Sequence, residues 1–69
     1  MAELFPEIEQ AAALDAEIGC IERELGFRRR CYPRWIESGK MTKALADREI
    51  DLMERVPARL RGLREGMTR

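Results

Sequence analysis

The sequence predicts an all-α protein folded as an antiparallel helical hairpin. Three observations predict this class: apolar residues recur at helical spacing in both halves, a glycine-containing turn separates the halves, and opposite charges would meet if the chain folded back once. A chain of 69 residues forms one small domain, which buries only about 60% of the surface that its unfolded form exposes. The hairpin is therefore expected to assemble further, into a helical bundle.

The first helix is predicted over residues 6 to 31. Its apolar residues follow one another at intervals of four, three and four, the spacing of one face of an amphipathic helix. They are Leu14, Ile18, Ile21 and Leu25. Pro6 suits the first turn, where its missing N–H needs no partner. Pro33 would interrupt the interior hydrogen bonds, so the helix is expected to end or kink there.

The connector is predicted over residues 32 to 41, with Gly39 available for a left-handed cap. Thr42 is a good N-cap, so the second helix is predicted over residues 42 to 56. Pro57 interrupts this helix, and the chain beyond it is expected to form a kinked continuation or a separate helix over 57 to 65. The apolar stripe of this half consists of Ala46, Ile50, Met53 and Val56, followed by Leu60, Leu63 and Met67.

The charges add to zero but are arranged in blocks along the chain. Residues 1–25 hold seven acids and one base, and residues 26–43 hold six bases and one acid. Residues 44–55 hold four acids and two bases, and residues 56–69 hold four bases and one acid. A chain that folds back once brings opposite blocks together, so the order favours a hairpin over a straight rod.

Packing the two stripes against each other predicts a register. The facing pairs are Leu25 with Met53, Ile21 with Val56, Ile18 with Leu60, and Leu14 with Leu63. By the same rule Arg28 faces Glu49, and both occupy positions where an apolar residue is expected. The sequence therefore predicts an Arg28–Glu49 ion pair that fixes the register. The alternative is that both side chains extend to solvent.

The first helix carries a second apolar stripe, about 130° away from the first at 100° per residue. A two-helix hairpin buries one stripe per helix, so the second stripe needs a partner, and the simplest is another copy. The sequence predicts a homodimer that forms a four-helix bundle, or a higher oligomer; the alternative is a mildly apolar surface. The predicted oligomer interface consists of Ala13, Ala16, Cys20, Phe27 and Cys31.

The composition argues against several classes of function. The chain has no His and two Cys, so it lacks the usual general base and cannot complete a four-ligand zinc site. Its longest apolar run, Ala11 to Leu14, is far shorter than the roughly 20 residues of a membrane span. Its acidic N-terminal region is unlike a secretory signal. We expect a cytoplasmic, non-enzymatic protein with no metal, no cofactor and no membrane partner.

Residues 27 to 35, with the sequence FRRRCYPRW, form the densest group of functional side chains. Arginines interleaved with Tyr and Trp can contact phosphates and stack on bases, as in single-stranded nucleic-acid binding. The same residues can instead close the end of the hairpin or bind a protein, and a net charge of zero weakens the nucleic-acid interpretation. The predicted partner surface consists of Arg28, Arg29, Arg30, Tyr32, Arg34, Trp35, Lys40 and Lys43.

Residues 22 to 55 resemble a group of small uncharacterised proteins encoded in phages and prophages of proteobacteria. The resemblance rests on an arginine-rich Tyr-Pro-Arg-Trp block and a Gly-Lys-Met-Thr turn, here residues 28–35 and 39–42, followed by a helix rich in Ala and Glu. It implies a phage setting and no particular activity. The sequence thus predicts a non-enzymatic, phage-derived interaction protein that binds a host or phage protein through its helical surface. The alternative is a nucleic-acid-binding accessory protein.

Overall fold

The computed structural model describes residues 6–67, which form two α-helices joined by a short turn. Helix α1 spans Pro6–Glu37 and helix α2 spans Lys43–Met67. The two helices run antiparallel and pack against each other along their length. The predicted all-α hairpin is confirmed. Neither helix is long and apolar enough to cross a membrane.

Helix α1 continues through Pro33, so the predicted end at Cys31 is wrong. Pro33 is exposed, and so is Arg29, the residue whose carbonyl loses its helical donor to the proline. Beyond Pro33, the ring of Trp35 packs at 5.6 Å from that of Tyr32, which is only 4% exposed. We attribute the continuity of α1 to this packing, which offsets the roughly 3 kcal/mol that an interior proline costs a helix.

The C-terminus of α1 is closed by the glycine cap that the sequence predicted. Gly39 has a φ of +82°, in the left-handed region. The N–H of Lys40 donates to the Trp35 carbonyl at 2.9 Å, and the N–H of Gly39 donates to the Ile36 carbonyl at 3.1 Å. This pair of bonds is the Schellman motif, which satisfies carbonyls left free at a helix end.

The N-terminus of α2 is capped by Thr42, also as predicted. The Thr42 Oγ1 accepts a hydrogen bond from the N–H of Leu45 at 3.1 Å, which satisfies one of the free donors of the first turn. The connector between the helices is therefore residues 38–42, half the length predicted from 32 to 41.

Helix α2 is a single helix that includes Pro57, so no separate helix forms over 57 to 65. Pro57 is buried and lines a groove between the helices together with Leu25. Its ring therefore takes part in packing against α1. The sequence presented Pro57 only as an interruption, because burial depends on the neighbouring helix and not on local propensity.

The core is a seam in which both helices contribute residues at alternating intervals of three and four, the heptad pattern of a coiled coil. All of these seam residues are buried or half-buried. In α1 they are Ala11, Leu14, Ile18, Ile21, Leu25, Arg28, Tyr32 and Trp35; in α2 they are Ala46, Ile50, Met53, Pro57, Leu60, Arg64 and Met67. The core is thin, because no large side chain among the described residues is less than 2% exposed.

The register differs from the predicted one by about one helical turn. Leu25 lies beside Pro57 instead of Met53, and Val56, predicted to face Ile21, is 42% exposed. Pro57 and Arg64 occupy the seam positions that were predicted for Val56 and Leu63. The reason is the length of α1: because α1 ends at Glu37 instead of Cys31, the centre of the turn moves toward the C-terminus by about one turn of helix.

Candidate protein-interaction surface

The hairpin is one helix thick, so each side of the seam opens onto a broad face. The extents of the chain are 52 × 21 × 13 Å, which fit two helices lying side by side. The residues that flank the seam are mainly charged on one face and include exposed apolar side chains on the other.

One side, here called the charged face, carries three ion pairs between described residues that join the helices. Arg29 pairs with Glu54, and Arg61 pairs with Glu22. The third pair joins Arg64 Nε to the Asp15 carboxylate at 3.0 Å. In each pair, a residue from a charge block of the first half contacts a residue from the oppositely charged block of the second half, as the charge order predicted. Each partly exposed pair contributes at most about 1 kcal/mol, so their main effect is to favour this register.

The opposite side of the seam exposes apolar residues of α2. Leu63 lines a groove there with Ala13 and Glu17, whereas the groove on the charged face contains the ion-paired side chains. Leu52 and Val56 line an adjoining groove. Four large apolar residues follow this side of α2 at intervals of seven, four and seven, and they are 42–62% exposed. They are Leu45, Leu52, Val56 and Leu63.

Helix α1 extends the same surface with four of the five predicted interface residues. Cys20 and Phe27 follow Ala13 at intervals of seven, which places them on one side of a helix packed at heptad spacing. Phe27 is 46% exposed, and Cys31 is half-buried beside the seam. We call the surface of these four residues and the four exposed residues of α2 the apolar face.

The fifth predicted interface residue, Ala16, lies elsewhere. It is two residues away from the seam residues Leu14 and Ile18, which places it on the outer edge of α1, opposite the seam. The apolar residues of α2 were missed in the sequence because Val56 and Leu63 had been placed in the core. Their signal was present as the spacing of Leu45, Leu52 and Val56, which forms a second stripe beside the seam.

The predicted arginine–aromatic surface divides into residues that close the hairpin and residues that face solvent. Tyr32 is buried, so its inclusion in an exposed stacking surface was wrong. Trp35 is half-buried beside Tyr32. Arg29 and Lys43 are engaged in ion pairs with Glu54 and Asp47. Three cations are exposed and form no ion pair with another described residue: Arg30, Arg34 and Lys40.

Arg28 bonds to residues of its own helix, so the predicted Arg28–Glu49 pair is wrong. Its Nε donates to the Glu24 carboxylate at 3.0 Å, and its Nη1 donates to the Tyr32 hydroxyl at 2.9 Å. The bond to the Tyr32 hydroxyl is the main cause that raises the pKa of Arg28, although partial burial opposes it. The guanidinium thus holds the hydroxyl of the buried tyrosine.

Among residues 6–67 no three His, Cys, Asp or Glu side chains lie close enough together to hold a metal ion. The sequence matches no protein-family model, and comparisons with the curated proteins and with the solved structures show no match either.

Proposed function

We propose that this chain is a small, non-enzymatic interaction protein that binds other proteins through its apolar face. One observation carries the proposal. Of the six large apolar side chains that are exposed in the described part of the chain, five lie on this face, and only Ile8 does not. Contiguous exposed apolar surface is typical of protein-binding sites, whereas scattered apolar residues are ordinary.

The surface area of the chain supports the same proposal. The chain exposes 5507 Å². A folded monomer of 8.0 kDa is expected to expose about 4,450 Å². The excess of about 1,000 Å² is close to the roughly 800 Å² that each partner contributes to a protein–protein interface of standard size. The hairpin thus leaves more surface open than a compact monomer of its mass would, which favours association.

The class of partner is protein, and the simplest such partner is a second copy, which would give a homodimer. A host or phage protein is the other partner that we propose, and it rests on the resemblance of residues 22–55 to phage- and prophage-encoded proteins. A cytoplasmic location would fit both partners. The apolar face would accept helices, because its side chains follow two helices at heptad spacing.

The proposal is tested by introducing a charge into the apolar face. Leu52→Lys is expected to remove association, because a lysine ammonium would be desolvated in the interface. Ile8→Lys is the matched control, since Ile8 is also exposed but lies outside the face. Native mass spectrometry and gel filtration of the tagged full chain, purified and in cell extract, would measure association. A wild-type chain that travels alone in both preparations would disprove the proposal.

Nucleic-acid binding is the weaker alternative, because Tyr32 is buried and Arg28 and Arg29 are engaged in ion pairs. It predicts that a labelled single-stranded 20-mer binds with an affinity that falls steeply with salt, and that Arg30→Ala reduces the slope. Fluorescence anisotropy at two salt concentrations would measure this. We expect no salt-dependent binding, and a steep slope would favour the alternative.

A further inference from the structure

We infer that the occupant of the apolar face is a second copy of this chain, with the turns of the two hairpins at opposite ends of a four-helix bundle. This inference rests on the proposed function and deepens it by naming the partner and its orientation. The two copies would be related by a two-fold axis that crosses both helices at right angles. Helix α1 would then pack antiparallel on α1 of the partner, and α2 on α2.

The residues that α2 presents on the apolar face form a pattern that is complementary to its own reverse. Arg59 lines a groove of this face, and Glu49 lies on it seven residues before Val56. Counted outward from Glu54, the two halves of the pattern match position by position, apolar with apolar and acid with base. The matched pairs are Leu52 with Val56, Glu49 with Arg59, and Leu45 with Leu63.

Helix α1 carries a pattern of the same kind, centred at the same height. On the apolar face it presents an acid, two apolar residues and a base, which are Glu24, Phe27, Cys31 and Arg34. The midpoint of this pattern is Arg29, which forms an ion pair with Glu54, the midpoint of the α2 pattern. One two-fold axis at this height therefore matches both helices at once. This favours a second copy, because a two-fold interface requires a patch that is complementary to itself.

The charged residues of the two patterns are available to a partner. Arg34, Glu49 and Arg59 form no ion pair with another described residue of their own chain. Glu24 pairs with Arg28, one turn along the same helix. In the bundle, Glu49 lies level with the partner's Arg59, and Arg34 lies level with the partner's Glu24. Complementary charges at the flanks of a helical interface select its partner and orientation.

The two leucines at the ends of the α2 pattern select the orientation. Turns at the same end would also match the central residues, but the register of the ion pairs on the charged face would then set Leu45 against the partner's Ser38, in the turn. Leu63 would meet the partner's Cys20. With the turns at opposite ends, Leu45 meets the partner's Leu63, and the smaller Cys20 lies beside the turn. Both leucines, 45% and 62% exposed in the protomer, are then covered by apolar surface.

The exposed cation of the turn favours the same orientation. With the turns at one end, Lys40 of both copies would lie close to the two-fold axis, and these like charges would oppose association. With the turns at opposite ends, the turn lies level with about residues 17–20 of the partner's α1. Glu17 lines the apolar face there and forms no ion pair with another described residue. Each turn is thus placed beside an acid.

A charge exchange between Glu49 and Arg59 tests the partner and the orientation together. Sedimentation equilibrium of the wild-type chain is expected to give the mass of a dimer. Glu49→Arg and Arg59→Glu should each raise the dissociation constant about tenfold, because each leaves two like-charged contacts in the symmetric dimer. The double variant should return it to the wild-type range. With the turns at the same end, Glu49 would meet Arg34 and Arg59 would meet Glu24, so the double variant would dissociate more readily than either single variant.

Arg48→Glu is the matched control for this exchange. Arg48 is exposed and adjacent to Glu49 in the sequence, but it lies on the outer edge of α2, opposite the seam. Its replacement should leave the dissociation constant unchanged. A double variant of Glu49 and Arg59 that is no tighter than the single variants would overturn the inference.

A disulfide crosslink gives a second reading of the orientation. In a chain with Cys20→Ser and Cys31→Ser, the combination of Leu45→Cys and Leu63→Cys introduces two thiols roughly 27 Å apart along α2, too far for a bond within one chain. Oxidation should yield a covalent dimer, whereas either introduced cysteine alone should give none. In a chain that retains Cys20, crosslinking of Leu63→Cys to Cys20 of the partner subunit would mean that the turns lie at the same end, and the inference would be wrong.

Failure of this inference and failure of the proposed function give different results. A purified wild-type chain that remains at 8.0 kDa at micromolar concentration excludes the second copy and overturns the inference. The proposed function would still be supported if the same chain formed a complex in extract that Leu52→Lys removed and Ile8→Lys retained.

Discussion

At the scale of single residues, two glycines with opposite backbone requirements provide a matched test of the turn. Gly39 has a φ of +82°, which an L-amino acid adopts at a cost of about 1–2 kcal/mol, whereas Gly62 lies within α2. An added Cβ would meet nothing within 4 Å at either position, so side-chain clashes do not contribute. Gly39→Ala should therefore lower the free energy of unfolding by about 1 kcal/mol.

Gly62→Ala should raise the free energy of unfolding by about 0.5–1 kcal/mol, because alanine is the better helix former. Urea unfolding of both variants at one protein concentration, followed by circular dichroism, would measure the difference. Equal effects of the two substitutions would mean that the left-handed conformation of Gly39 does not contribute to stability.

Single residues were predictable from the sequence where the cause is local. Gly39 and Thr42 were identified because helix caps depend on residues within one turn of the chain. Tyr32 was assigned to an exposed surface because its sequence neighbours are arginines. Its burial depends on packing at the closed end of the hairpin, where its hydroxyl receives the Arg28 hydrogen bond, and no local pattern contains that information.

At the scale of the elements, the two interior prolines are expected to respond differently to replacement. Pro33 is exposed, so Pro33→Ala restores a helical donor and loses little packing. It should raise the free energy of unfolding by about 1–3 kcal/mol. Pro57 is buried in the seam, so Pro57→Ala gains the same hydrogen bond but loses the contacts of the ring, and its net gain should be smaller.

Thermal and urea unfolding of the two variants would rank them. A loss of stability in Pro33→Ala would show that the proline ring has a contact or a conformational role that its exposure does not indicate. A larger gain in Pro57→Ala than in Pro33→Ala would show that burial of the Pro57 ring contributes little to the seam.

The helices themselves were predictable, but their lengths and seam were not. Both prolines were read as interruptions because propensity describes an isolated helix, whereas here each helix is supported by the other. In α2 the stripe was drawn through the most apolar residue of each turn, which selected Val56 and Leu63. The structure instead keeps the regular alternation of three and four through Pro57 and Arg64, since helices that stay in contact along their length pack through a continuous heptad seam.

At the scale of the whole molecule, the blocks of charge were the most informative feature of the sequence. They predicted the antiparallel hairpin independently of hydrophobic spacing, and the three cross-helix ion pairs within the described part of the chain all follow the block order. They could not fix the register, because blocks of 12 to 25 residues tolerate a shift of one turn. That shift is the reason why the Arg28–Glu49 pair is absent, while Arg29 meets Glu54.

In the proposed dimer, the stability of the whole molecule depends on association. A thin seam leaves the isolated hairpin marginal, so a dimer that covers the apolar face should contribute a large share of its stability. The melting temperature of the wild-type chain should then rise by about 5 °C for each tenfold increase in concentration, given about 0.7 kcal/mol of unfolding enthalpy per residue in a two-chain unit.

Phe27→Ala should flatten this dependence, because Phe27 is the largest α1 side chain on the apolar face and is 46% exposed in the protomer. Ile8→Ala should retain the wild-type slope, because Ile8 is exposed outside the face. Differential scanning calorimetry from 10 µM to 1 mM, on the order of the range over which weak dimers form, would measure all three chains. A melting temperature of the wild-type chain that does not change with concentration would mean that the hairpin is stable alone, and its exposed apolar face would then have to be covered by a different protein.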